Sequence, residues 1–117
     1  MKYNILGNTG LAVSELCLGT MTFGGEGFWE VVGTQTQQQA DELIRHSVDA
    51  GINFIDTANI YSFGQSEKIL GESIKNLGLN REELVIASKV RGEMGDEINN
   101  RGLSRFHIFN SVNRSLK

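Results

Sequence analysis

The sequence predicts an α/β fold, and two observations carry that prediction. Three strand-loop-helix units follow one another along the chain, which implies parallel strands joined by right-handed crossovers. The third of the apolar runs, residues 84–90, is β-branched and apolar on both faces, as a strand covered on two sides requires. A chain of 117 residues buries one modest core, so residues 1–117 are read as one unit. Its 39% apolar and 21% charged residues suit a folded chain, while a net charge of -3 without a basic patch argues against nucleic acid as a partner. The longest aliphatic run, residues 84–87, falls far short of the roughly 20 residues of a membrane span. No apolar stretch of the secretory kind opens the chain, so the expected location is cytoplasmic.

Taken in order, residues 3–6 and 11–13 flank Asn8-Thr9-Gly10, a turn composition that predicts a hairpin acting as a lid or plug. Residues 14–18 read as the first strand of the parallel set, and a glycine-rich loop runs from Gly19 to Gly33. Thr36 and Gln39 have the spacing of a capping box. Ala40, Leu43, Ile44, Ser47 and Val48 then recur at helical spacing until Gly51. Residues 53–55 form the next strand, and Ser66 is the expected cap of a helix that aligns Leu70, Ile74 and Leu77 before Gly78. After the strand at 84–90 and a long loop at 91–103, Ser104 is the expected cap of a third helix. Ile108, Ser111, Val112, Ser115 and Leu116 share a stripe of that helix.

Leu116 and Lys117 lie within this last helical pattern, with no closing glycine, asparagine or proline, so the sequence reads as a piece of a larger α/β domain. Three parallel strands leave a sheet edge unpaired, which predicts self-association through that edge. The single cysteine, Cys17 between Leu16 and Leu18, is expected to be a buried thiol without chemistry.

The stretch NFIDTANIYSFGQSE raises a chemical question, because an apolar strand ends in Asp56 with Tyr61 five residues on. Lys89 sits in VIASKV, where a parallel strand should meet packed core, and an enclosed ammonium there needs a partner. Asp56 occupies the matching place, since the carboxyl ends of neighbouring parallel strands share one rim. On these two residues alone, a structural salt bridge accounts for the pattern as well as chemistry does. Tyr61 favours chemistry: a phenol titrates near pH ~10 in water, and an ammonium nearby stabilises its ionised form. Such a group suits the protonation of a carbonyl oxygen. The segment Gly24-Gly25-Glu26-Gly27 lacks GxGxxG spacing, and Glu26 would repel a pyrophosphate, so a phosphate loop is rejected.

LGNTGLAVSELCLGTMTFGG, DAGINFIDTANIYSFGQSEKILGESIK, LVIASKV and GLSRFHI resemble the N-terminal part of the aldo-keto reductases across essentially the whole chain. The resemblance implies a (β/α)8 barrel, with the first three βα units and an N-terminal hairpin represented in these residues. It also implies reduction of aldehydes or ketones with NADPH, or alternatively NADH, with Asp56 and Lys89 tuning Tyr61 as the acid. Thr20, Met21 and Asp56 would bound the nicotinamide, and Phe28 or Trp29 would wall the pocket of a small carbonyl substrate. The family's catalytic histidine, at the end of a fourth strand, is expected beyond Lys117 and has no counterpart here; His107 and His46 stand in helical contexts and read as surface or packing residues. The family's pyrophosphate and adenosine contacts come from elements beyond those represented, so the isolated chain is expected to be inactive. The competing expectation is a non-catalytic interaction module, by analogy with the family's channel-associated subunits. No metal site is expected.

Overall fold

The computed structural model describes all residues, 1–117. Tyr3–Ile5 (β1) and Ala12–Ser14 (β2) pair antiparallel, with Tyr3 opposite Ser14 and Ile5 opposite Ala12. The connection is pinned where the Thr9 hydroxyl donates to the Leu6 carbonyl at 2.6 Å. The hairpin seats at the amino end of the parallel strands. Tyr3 donates its hydroxyl to the Gly51 carbonyl at 2.7 Å, and Asn53 Oδ1 accepts from the Ser14 amide at 2.8 Å. Of the two roles expected for it, this position is that of a plug, at the opposite end from the rim that carries Asp56.

The strand expected at 14–18 divides. Ser14 closes the hairpin, its hydroxyl donates to the Leu16 carbonyl at 2.6 Å, and parallel pairing begins only at Leu18–Gly19 (β3). Phe54–Asp56 (β4) and Val85–Ala87 (β5) complete a three-stranded parallel sheet in the order β3-β4-β5. Its register places Gly19 beside Asp56 and Asp56 beside Ala87.

Gln37–Asp49 (α1) begins with the expected capping box: Thr36 Oγ1 accepts from the Gln39 amide, and Gln39 Oε1 accepts from the Thr36 amide. Gly51, at φ +90°, turns the chain out of this helix as only glycine does readily. Gln65–Asn76 (α2) starts one residue before Ser66, behind Gly64 at φ +93°. Ser66 is therefore not a cap, and its hydroxyl is used elsewhere. Arg105–Ser115 (α3) does begin at Ser104, whose hydroxyl accepts from the His107 amide at 3.1 Å.

Phe23, Ala40, Ile44, Ile55 and Leu70 form the core, sandwiched between the sheet and the pair α1–α2, with Leu18, Ile74 and Ile86 packed against it. Strand alternation sends Phe54, Asp56, Val85 and Ala87 to the other face. That face is open, so β5 is only half-buried, and the two-sided cover expected of it is present on one side. Cys17 is exposed, which corrects the expectation of a buried thiol. It precedes Leu18, which packs against the core, so strand alternation turns Cys17 to the sheet's other, open face. Desolvation and the nearby Asp56 carboxylate, opposed by Lys89, hold its pKa above the thiol value of 9.0. No helix is long and apolar enough to cross a membrane.

Candidate active site

Asp56, Tyr61 and Lys89 converge at the carboxyl rim of the sheet. Backbone pairing brings them there by running on past the strands: the Thr57 amide donates to the Ala87 carbonyl at 2.8 Å and the Asn59 amide to the Lys89 carbonyl at 3.2 Å. The loop after β4 is thereby laid along the segment after β5. Lys89 Nζ donates to Asp56 Oδ2 at 2.5 Å, to the Thr57 carbonyl at 3.0 Å and to the Tyr61 hydroxyl at 3.1 Å. An ammonium has three N–H donors and no acceptor. All three are therefore occupied, and the phenol oxygen must accept, which leaves its own proton free to point elsewhere. Nζ also lies 4.8 Å from the Tyr61 ring centroid, within cation–π range.

The setting differs in one respect from the enclosed cation the sequence suggests. The Lys89 side chain is 49% exposed and that of Asp56 35%, because the sheet's inner face is open. Hydrogen bonding rather than burial fixes the pair. Partial desolvation alone would lower the Lys89 pKa, but the hydrogen bonds to Asp56 and Tyr61, and their charge, outweigh it and hold the ammonium above the ordinary 10.5.

Thr20 and Met21 follow β3 and take different positions. Thr20 is fully buried, with its hydroxyl 2.8 Å from Ser66 Oγ and 3.3 Å from the Asp56 carbonyl, so it offers no side-chain surface to a ligand. Met21 is exposed on the rim loop. Trp29 packs edge-on against Tyr61, with centroids 5.6 Å apart, and Phe28 packs edge-on against Trp29 at 6.1 Å. The loop 24–27 runs into the short turn Gly27–Val31 rather than an α-helix, so no phosphate cradle forms there. His46 is exposed, its Nδ1 2.8 Å from the Glu42 carbonyl. His107, in the first turn of α3, is buried, with Nε2 lacking a partner. A cleft of about 490 Å³ lies between α2 and α3 around Gly71, Glu72 and Ser115. The titratable cluster sits on the open rim instead.

Ser66 and Ser62 were not identifiable as site residues from sequence. Ser66 Oγ donates to the Thr20 carbonyl at 2.7 Å and lies 3.2 Å from Thr57 Oγ1, so one buried hydroxyl joins the segments after β3 and β4 to the start of α2. Ser62 bonds across to the glycine-rich loop. The only sequence signal was the density of hydroxyl residues flanking the Asp56–Tyr61 stretch.

A sequence profile of the Aldo/keto reductase family matches residues 15–117. A Schizosaccharomyces pombe protein provisionally named an aryl-alcohol dehydrogenase is 38% identical over 136 residues, covering 98% of this chain and 39% of its own length. Another protein of that organism, provisionally named a voltage-gated potassium channel subunit beta, is 41% identical over 119 residues, covering all of this chain and 33% of its own length. Among solved structures, a protein from Pseudomonas aeruginosa described provisionally as an aldo-keto reductase superposes with a TM-score of 0.76 at 39% identity, over 97% of this chain and 41% of that one. The chain thus spans well under half the length of these relatives, and its sheet and helices correspond to part of their barrel fold. Since the matched residues take in the whole parallel sheet, all three helices and the Asp56–Tyr61–Lys89 rim, the chain belongs to the aldo/keto reductase family.

Proposed function

We propose that this chain supplies the proton-donating part of an NADPH-dependent reductase of aldehydes or ketones, with Tyr61 as the acid. The observation that carries the reading is the three-way engagement of the Lys89 ammonium by Asp56, Thr57 and the Tyr61 oxygen. As the phenol gives its proton to a carbonyl oxygen, negative charge grows on an atom 3.1 Å from Nζ, where a fixed ammonium stabilises it. Asp56 and the Thr57 carbonyl hold the ammonium in place, and NADH is the alternative reductant.

Exposed Met21, together with Asp56, would bound the nicotinamide end of the cofactor, and the open face beside them leaves room for a flat ring. Buried Thr20 fits only as support for that loop. When bound, the cofactor supplies hydride to the carbonyl carbon. Trp29 packs against Tyr61 and Phe28 against Trp29, and the two form an apolar wall for the substrate. No group within the chain cradles a pyrophosphate, so residues 1–117 alone are expected to show no turnover.

The test replaces the matched segment of the P. aeruginosa relative with residues 1–117 and follows NADPH oxidation with a reactive aldehyde. Tyr61→Phe is expected to lower kcat by about 10²–10⁴-fold, the range for a positioned general acid. The 117-residue chain alone, run in the same assay, should match the uncatalysed rate. Unchanged kcat in Tyr61→Phe would overturn the assignment of the acid.

A second reading, an interaction module, draws on the relative named as a channel subunit and on the outer edges of β3 and β5, which have no partner strand. It requires binding without turnover, and in that case Tyr61→Phe changes nothing in the assay.

A further inference from the structure

Tyr61 is followed by two non-glycine residues in left-handed conformation, Ser62 at φ 48°, ψ 38° and Phe63 at φ 52°, ψ 42°. L-residues rarely adopt that region, and two in succession persist only where the surroundings over-determine them. Nothing in Phe63 accounts for it, since that side chain is exposed. Ser62 is fully buried, and both of its hydroxyl functions are used: Oγ donates to the Phe23 carbonyl at 3.2 Å and accepts from the Gly25 amide at 2.9 Å. Gly24 makes the close approach possible, because a Cβ there would stand 3.0 Å from Ser62 Cβ and 3.1 Å from Oγ. The same loop sends Trp29 onto the Tyr61 ring.

We infer that Ser62 is a positioning residue for Tyr61: its hydroxyl, held between the Phe23 carbonyl and the Gly25 amide, fixes the left-handed turn that aims the phenol at Lys89. This rests on the reading of Tyr61 as the acid and goes beyond it by tying the acid's aim to the glycine-rich loop. The turn reverses the chain between Tyr61 and the start of α2 at Gln65, so the ring's direction depends on it. The loop grips the tyrosine twice, at the ring through Trp29 and at the backbone through Ser62. A displacement of residues 23–29 would therefore carry the phenol with it.

The chain holds two tyrosines, Tyr3 and Tyr61, which permits a direct test by NMR of protein labelled with 13Cζ-tyrosine. Tyr3→Phe assigns the pair of signals. In the parent, Lys89→Met should displace the Tyr61 signal and leave that of Tyr3, which lies at the opposite end of the sheet. In Ser62→Gly, which keeps access to the left-handed backbone but removes the hydroxyl, the same Lys89→Met change should displace the Tyr61 signal by less than half as much. Ser62→Ala should behave likewise, and if circular dichroism shows that it fails to fold, Ser62→Gly decides. Full displacement retained in Ser62→Gly overturns the role of Ser62 and leaves the lysine–phenol pair standing. No displacement in the parent overturns the pair itself, and the role of Ser62 with it.

Discussion

Ser66 shows how much one hydroxyl can hold at this rim. It is fully buried and meets Thr20 twice and Thr57 once, and removing it leaves the Thr57 hydroxyl without a partner. Ser66→Ala is expected to cost about 1–3 kcal/mol, the penalty for buried groups left without partners, read as a lower urea midpoint at unchanged slope. The Lys89–Asp56 pair contributes less, because both side chains reach solvent; exposed pairs of this kind are worth about 0.2–1 kcal/mol. Since the folded pKa of Lys89 is raised, that contribution is present in full below the ordinary 10.5 and is lost as pH rises through the folded value. Asp56, Tyr61 and Lys89 were legible in the sequence because a charge at the end of an apolar strand has few reasons to be there. Ser66 was not: its partner Thr20 lies 46 residues away, and a serine beside a helix start looks like a cap. The left-handed turn at Ser62 was equally hidden, since nothing in serine announces positive φ.

At the level of elements, the α1–α2 pair is joined by polar contacts as well as by core. Gln37 Nε2 donates to Asp41 Oδ1 at 2.7 Å and to Ser73 Oγ at 2.9 Å, while Asn76 Nδ2 donates to Asp41 Oδ2 at 3.0 Å. Desolvation pushes the Asp41 carboxyl up, but hydrogen bonds from Ser73, Gln37 and Asn76 and the charge of Arg45 hold it below the usual 3.8. A depressed carboxylate stabilises the fold above its unfolded pKa, and that contribution is lost as pH falls through the folded value. Asp41→Asn should therefore destabilise the protein slightly at neutral pH, by about 0.2–1 kcal/mol because the carboxylate reaches solvent, and the difference should shrink in acid below pH 3.8. Denaturant midpoints of both proteins across the acid range check this; a constant difference would refute it. The starts of α1 and α3 are legible in the sequence because their signals are local: Thr36 with Gln39, and Ser104 with the His107 amide, act within one turn. The strand boundaries were read less well. Ser14 looked like the start of a parallel strand, yet the Asn53 side chain takes up its amide and bends the chain away.

Across residues 1–117 as a whole, the sheet is covered on one face only. The core gathers on the helix side around Phe23, Ile44 and Ile55, while α3 exposes Phe106, Phe109 and Val112, and the outer edges of β3 and β5 have no partner strand. Uncovered edges and apolar patches of this kind favour pairing between copies. Size-exclusion chromatography over a concentration series is expected to show species larger than the 12.9 kDa chain, and a monomer at every concentration would refute edge-driven association. The openness of the inner face was not legible in the sequence, because residues 84–90 are apolar enough for cover on both sides; for the same reason Cys17 looked buried between two leucines. The hairpin has a practical corollary. It closes the amino end of the strands through Tyr3 and Asn53, whereas Tyr61 and Lys89 stand at the other end. A molecule tethered to a solid support by way of Lys2 would present the Asp56–Tyr61–Lys89 rim outward to the bulk, with the attachment chemistry kept at the opposite end of the strands.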